Sequence, residues 1–443
     1  MKIRKNIATL FHSLRKNPIV INIVSVAAIT FIVKGFGFYK EIVVASNFGL
    51  SELLDTFLIA ALVPGFIYQV FLGAFKSVFI PNYIIEQKSG RPISSFQSTS
   101  FIVTIGTTFF FMVLAYLFTN TFLELFFPNH TENYYHLIKI QFFYILPCIL
   151  FWGLSSLISG LLNIHNEFKY STIYPVFTSI AILVLLLFFK DVFQEKVLAV
   201  AMLVGSILEF LFLVIVVKSK NIIKLAKPDF KADGTKMLFN QLPAKVSSGF
   251  LTGLIPITDQ YFAAQLIVGS IAALNYALKI PAFFTGIVVL ALARVLLPHF
   301  SKLTNNNRES AFKQLNRILK FVFISLIIII IPIIIFSDNI IELVFERDQF
   351  TSDDTFIVSR LQIVLLIGAP FYICGNILVQ FLTSINKNAF MAYVSFGSMT
   401  LNIILDFIFL KLYGIYGIVL CTTTIYVVRS LVLFVYANKQ KNL

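Results

Sequence analysis

The sequence predicts an all-α integral membrane protein of about twelve transmembrane helices in two pseudo-symmetric six-helix lobes around a central cavity. Three observations predict it. Of 443 residues, 58% are apolar and 13% charged, with a mean hydropathy of +0.88. A soluble domain has about 45–50% and about 25%, so this surplus of apolar surface needs a bilayer rather than water. The apolar runs are long and continuous, without the ten-residue alternation of barrel strands, so they read as helices. A segment of the first half also reappears in the second.

The first run, 19–46, follows Lys2, Arg4, Lys5, Arg15 and Lys16. That pattern is like a signal peptide, but no small-x-small cleavage site ends a short apolar region, so it reads as a retained first helix. The next runs are 52–83, 95–119, 135–162, 170–190 and 196–217. A basic loop at 218–236 with Lys218, Lys220, Lys224, Lys227, Lys231 and Lys236 then divides the chain. The remaining runs are 237–266, 270–299, 311–336, 355–384, 388–411 and 413–437. The domains expected are therefore a lobe at 1–217, a linker at 218–236 and a lobe at 237–443.

Loop charge orients the bundle. Lys88 and Arg91, the basic loop, Lys302, Arg308, Lys313 and Arg317, and Lys439 and Lys441 fall on the side of the N-terminus. Glu124, Glu132, Asp338, Glu342, Glu346, Asp348, Asp353 and Asp354 fall opposite. Lys and Arg stay cytoplasmic, so both termini are expected on the cytoplasmic side. Topology also explains the net charge of +14, and no nucleic-acid partner is expected. Cys148, Cys374 and Cys421 lie in apolar runs and read as small core residues.

Residues 61–83, ALVPGFIYQVFLGAFKSVFIPNY, align with 278–300, LKIPAFFTGIVVLALARVLLPHF, at an offset of 217. Pro64 and Pro81 match Pro281 and Pro298, and Phe66, Ala74 and Val78 match Phe283, Ala291 and Val295. The matching place in each half points to a duplicated six-helix unit, an arrangement whose substrate path lies between the halves in transporters.

Charges at membrane depth cost about 2.5–3.5 kcal/mol each on insertion scales, so each needs a reason. Lys34 and Lys40, around Gly35-Phe36-Gly37, and Lys279, just before Pro281, line one cavity if the halves face each other. Three ammonium groups would attract a phosphate or pyrophosphate. The plainer reading is that they snorkel outward or pair with Glu41 and Asp55. Asp259, the i, i+4 pair Asn402 and Asp406, Thr422, and Ile418 one turn before it offer oxygen donors for a hard cation such as Na⁺. The plainer reading there is a polar patch holding helices together. Arg294, Arg360, Arg429 and Lys76 read as interfacial and snorkelling, and Glu209 has no explanation in the sequence. Trp152 and the tyrosines read as belt or packing residues. No GxSxG, P-loop, HExxH or DDxxD motif is present, none of His12, His130, His136, His165 or His299 has an Asp four or five residues on, and no loop is large enough for a catalytic domain. An enzyme is not expected.

The segment 25–90 resembles the opening of the MviN/MurJ lipid II flippases, of the multidrug/oligosaccharidyl-lipid/polysaccharide exporter superfamily. The motifs are the turn at Gly37–Glu41, Phe48-Gly49, Asp55-Thr56-Phe57 and Gly73-Ala74-Phe75 running to Pro81. Residues 275–302 are similar to the family's eighth helix. The resemblance implies a monomeric flippase that moves an undecaprenyl-pyrophosphate-linked saccharide outward by alternating access, with membrane lipids around it. It puts Lys34, Lys40 and Lys279 where family arginines bind pyrophosphate, and Glu41 and Asp55 at cavity and gating positions. It also puts a sodium site on Asp259, Asn402, Asp406, Ile418 (by its carbonyl) and Thr422, with no cofactor otherwise required. The chain departs from the family at Tyr68-Gln69, where a pair of arginines is usual, in one residue missing before Gly73, at Ala282 in place of an acid, and in reading as twelve spans where many relatives have two more. These departures leave an O-antigen or exopolysaccharide repeat unit as an alternative cargo. A multidrug cation antiporter of the same superfamily and a non-transporting scaffold are the other rivals.

Overall fold

Every regular element in the computed structural model, which describes residues 18–88, 90 and 92–441, is helical. The helices are α1 (Pro18–Phe48), α2 (Glu52–Ile67), α3 (Gly73–Lys88), α4 (Ile93–Phe126), α5 (Glu132–Ile145), α6 (Cys148–Ile164), α7 (Tyr170–Ile173) and α8 (Val176–Phe193). After these come α9 (Val197–Ser219), α10 (Asp233–Ala264), α11 (Ser270–Asn306), α12 (Arg308–Ile335), α13 (Ser337–Phe345), α14 (Ser352–Ser384), α15 (Asn388–Tyr413) and α16 (Ile415–Lys439). Among the described residues nine helical stretches are long and apolar enough to cross a bilayer. Two of the twelve expected spans fall in one such stretch, Val176–Ser219, which a 3₁₀ turn at Gln194–Lys196 divides. The short amphipathic α13 lies where the sequence suggested only loop.

The helix ends follow local chemistry. Thr131 caps α5 by accepting the Tyr134 N–H at 3.2 Å, and Asn307 caps α12 by accepting the Ser310 N–H at 2.9 Å. Thr351 and Asp354 form a reciprocal capping box at the start of α14. Between α2 and α3 the chain makes a π-helical turn at Tyr68–Leu72, whereas the matching segment of the second half stays α-helical in α11.

The chain forms two compact units. The first holds the described residues up to Val44, Ile59–Leu125 and His130–Gly249; the second holds Ala45–Leu58, Phe126–Asn129 and Phe250 onward. The division thus falls inside α10, not in the basic loop, and two short pieces of the first half join the second unit. The first unit's core packs Phe79, Tyr83 and Phe96 against Leu157, Leu161 and Leu213. The second unit's core packs Phe300, Phe312 and Phe381 with Leu315 and Leu382. Tyr83 and Phe300 are related by the repeat offset (83 + 217 = 300) and are 2% and 0% exposed. Tyr83 packs against Phe96 at the start of α4, and Phe300 and Phe312, the latter at the start of α12, both pack on Phe381.

The basic loop is a strap. The N–H groups of Lys224, Ala226 and Asp229 donate to Gln97 Oε1, Ser98 Oγ and Thr99 Oγ1 at 2.8–2.9 Å, and Ser95 Oγ donates to the Lys227 carbonyl at 2.5 Å. Gln97 Nε2 donates to Tyr83 Oη and to the Ile222 carbonyl. All six lysines face outward. Beside the strap, the Glu167 carboxylate lies 2.8 Å from Lys220 and holds that ammonium's pKa above its ordinary value. Replacing Gln97 and Ser98 by Ala should free the strap, and limited trypsin digestion of the full chain should cut after Lys224 about tenfold faster. An unchanged cutting rate would mean these bonds do not hold it.

Candidate functional site

The polar cluster of the second unit is built by a helical hairpin. Gly414, at φ +57°, turns the chain between α15 and α16. Gly417 then lets α16 close on α15, because a Cβ there would lie 2.1 Å from the Phe409 carbonyl oxygen. Asn402 and Asp406 share a face of α15 by their i, i+4 spacing, and Ile418, Thr422, Tyr426 and Arg429 form a stripe along α16 at steps of four, four and three. The hairpin brings Asn402 Nδ2 to 3.3 Å from Cys421 Sγ, and the thiol donates to the Asn402 carbonyl at 3.4 Å. From α10, Asp259 reaches Asn402 and feels the charge of Asp406.

The oxygens of this cluster are short of partners. Asp406 is 0% and Asn402 2% exposed. Asp259 Oδ1, Asn402 Oδ1 and both Asp406 carboxylate oxygens are buried without a hydrogen bond. Buried, unpaired carboxylate oxygens are costly unless a cation or a proton compensates them. The donor set, carboxylate, amide and hydroxyl oxygens, suits a hard cation such as Na⁺ better than a soft transition metal. Among the described residues no group of three His, Cys, Asp or Glu is arranged to hold a metal. A cleft of about 250 Å³ borders the cluster, lined by Asp259, Gln260, Asn275, Ile418, Thr422 and Tyr426 among others. The residues present fit sodium.

The cationic residues are distributed differently. Lys34 is exposed, and Lys40 is paired with Glu41 at 2.5 Å; all three belong to the first unit. Lys279 is half-buried in the second unit. On α11 the face of Leu278, Pro281, Ala282, Thr285 and Gly286 lines a cleft of about 450 Å³ with Tyr372 and Tyr426, and Lys279 is on the flank of that face. Of the acidic pair assigned to cavity and gating positions, Glu41 is thus tied to Lys40. Asp55 is 2% exposed, with Oδ2 accepting the Gly269 N–H at 2.6 Å and Oδ1 the Ala272 N–H at 2.7 Å. Both its oxygens are committed to the amino terminus of α11, which makes it a helix cap.

The unexplained charge has the same explanation. Glu209 accepts the Thr178 hydroxyl at 2.6 Å and bonds to the Thr178 backbone, capping the start of α8. Glu86 accepts the Gly234 N–H at 3.2 Å at the start of α10. Helix starts present orphan N–H groups and a positive dipole end, so each carboxylate is stabilised where it sits. Lys76 donates to Ser159 at 3.1 Å inside the first unit. Arg360 is 46% exposed and 3.4 Å from Asp338. The Arg294 side chain lies outside the described residues. Arg429 departs from expectation: it lines a cleft with Ser395, Ser398, Asn402, Thr422 and Tyr426. The sequence signal for it was its place seven residues after Thr422 on the same face. Tyr68 packs its ring on Trp152 at 5.6 Å and bonds to Tyr174, and the three cysteines are buried and free.

The family model described as lipid II flippase MurJ matches residues 44–443. The probable lipid II flippase MurJ of Buchnera aphidicola subsp. Schizaphis graminum is 27% identical over 374 residues, covering 81% of this chain and 71% of the relative. The lipid II flippase MurJ of Thermosipho africanus is 27% identical over 396 residues, covering 89% and 80%. A solved lipid II flippase MurJ in an inward closed conformation superposes with a TM-score of 0.81 at 26% identity, covering 94% of this chain and 87% of that one. An inward-facing multidrug resistance transporter of the MATE family has a TM-score of 0.79 at 12% identity, covering 95% and 98%, which is a likeness of fold alone.

Proposed function

The chain belongs to the lipid II flippase MurJ family, and from that premise we propose that it carries lipid II, an undecaprenyl-pyrophosphate-linked peptidoglycan precursor, across the bacterial inner membrane. It is a multi-pass transporter, and its substrate is a lipid-linked saccharide met within the bilayer. The family match favours this cargo over an O-antigen unit or a cationic drug. The finer mechanism is our own reading. Transport proceeds by alternating access, and Lys34, Lys40 and Lys279 hold the pyrophosphate. The chain works as a monomer with both termini cytoplasmic, and it transports without catalysing a covalent step.

Coupling is assigned to the second unit. Asp259, Asn402, Asp406, Thr422 and the Ile418 carbonyl would hold Na⁺, whose charge compensates carboxylates that otherwise stay unpaired. The observation that carries this is the set of four buried oxygens without a hydrogen bond. A ligand that binds one conformation better shifts the population toward it, so a sodium gradient would bias reorientation.

Full-length chain in proteoliposomes tests both parts. Lipid II transfer to the far leaflet should rise when a sodium gradient replaces a choline gradient at the same membrane potential. Asp406→Asn should abolish the sodium stimulation and leave sodium-independent transfer. No lipid II transfer by the wild type rejects the cargo, and equal transfer in sodium and choline rejects the coupling.

A further inference from the structure

Arg429 is a cation at membrane depth that nothing above uses. It lies 14 residues after the start of α16, about 21 Å along a helix about 37 Å long. That is inside a hydrocarbon core of about 30 Å. A charged residue there normally pairs, snorkels or faces a functional cavity. Arg429 does not show the signs of snorkelling that Arg360 shows. Arg360 is half-exposed, ion-paired to Asp338 and set over the Phe356 ring at 5.1 Å. Arg429 has its Nε buried with no hydrogen-bond partner. Its neighbours include the phenols of Tyr372 and Tyr426, whose rings lie 4.8 Å apart.

The cleft beside it has the chemistry of an oxyanion site. Ser395, Ser398, Asn402 and Thr422 line it and can donate hydrogen bonds, and the planar guanidinium suits phosphate oxygens in a bidentate grip. Asn402 and Thr422 also belong to the cation cluster. Tyr426 borders this cleft, the cation-site cleft and the cleft along α11. The arginine with its unpartnered Nε and the buried carboxylates are thus both in the second unit, with Tyr426 bordering both clefts.

We propose that Arg429 is an oxyanion-binding residue that takes a phosphate oxygen of the pyrophosphate head group in this cleft. The assignment rests on the flippase reading for the identity of the cargo. It adds a contact in the second unit that sequence resemblance did not supply. Because the cleft shares Asn402 and Thr422 with the cation cluster, anion and sodium binding are linked, and each must change the affinity for the other by the same factor.

The test is direct binding to the full-length chain in detergent. The probes are undecaprenyl pyrophosphate, inorganic pyrophosphate and undecaprenol, each titrated with and without sodium. Arg429→Gln should weaken undecaprenyl pyrophosphate by about tenfold or more. Arg429→Lys, which keeps charge without the fork, should fall between, and undecaprenol should not respond. If Arg429→Gln does not yield a monodisperse protein, Arg429→Lys decides by the same affinity comparison. Equal affinity for undecaprenyl pyrophosphate in wild type and variant overturns the proposal. A loss confined to inorganic pyrophosphate also overturns it, because it would mark a free-anion site rather than a cargo contact. Lys34→Gln measured in parallel separates the two readings: normal binding by that variant rejects the three-lysine cavity and leaves Arg429 standing.

Discussion

Proteoliposomes carrying the Lys34→Ala plus Lys279→Ala variant should transfer no lipid II above background, while the protein is made and inserted at normal levels. Each ammonium lost removes a charge-assisted contact to a doubly anionic head group, worth about 1.5–3 kcal/mol. Two such losses total about 3–6 kcal/mol, which is at least about a hundredfold in transfer rate. Neither residue is in the packed core: Lys34 is exposed and Lys279 half-buried, so the fold should survive. Lys40 is the internal control. Its ammonium is already paired with Glu41, so Lys40→Ala should cost less than Lys34→Ala, and replacing Lys40 and Glu41 together should cost less still. Normal transfer by the double Lys34, Lys279 variant would reject the pyrophosphate role of these lysines.

What the sequence made legible follows the range over which its physics acts. Apolar runs and loop charges are local quantities, and they marked nearly every helix. The Asn402 and Asp406 pair was readable because helical period puts i and i+4 together. Asp259, over 140 positions earlier, stands out in the sequence as an acid at membrane depth, but no local pattern ties α10 to α15. The basic loop looked like a linker by composition. Its real nature depends on Gln97, Ser98 and Thr99, polar residues at the start of α4 that bond to backbone 125 or more positions away. Glu209 and Asp55 were opaque for the same reason. Each caps a helix start from another segment, and a cap supplied from a distance leaves no motif. Arg429 was the residue most open to a better reading. Its stripe with Thr422 and Tyr426 is visible, but a long cationic side chain on an apolar helix reads by default as snorkelling.

Asp55 carries the largest expected effect on stability, and the same experiment separates its two roles. Gly269 sits at φ +91°, and a Cβ there would lie 2.6 Å from the Leu50 carbonyl oxygen. That glycine turns the start of α11 so that its N–H, and that of Ala272, point at the Asp55 carboxylate. Asp55→Ala leaves two buried N–H groups unsatisfied, at about 1–3 kcal/mol each, and removes an anion from the positive end of a helix dipole, a further ~0.3–1 kcal/mol. The sum, about 2–7 kcal/mol, is comparable to the whole stability of many domains. The variant should lose most of its monodisperse yield and unfold at markedly lower temperature. Asp55→Asn keeps one acceptor oxygen and should lose about half as much. Gly269→Ala attacks the same contact through the backbone, so combining it with Asp55→Ala should cost less than the two separately. Transport then discriminates. If Asp55 is a cap, Asp55→Asn flips lipid II in proportion to the folded protein that remains. If it is a gate, Asp55→Asn protein that is fully folded still fails to flip, and the capping assignment falls.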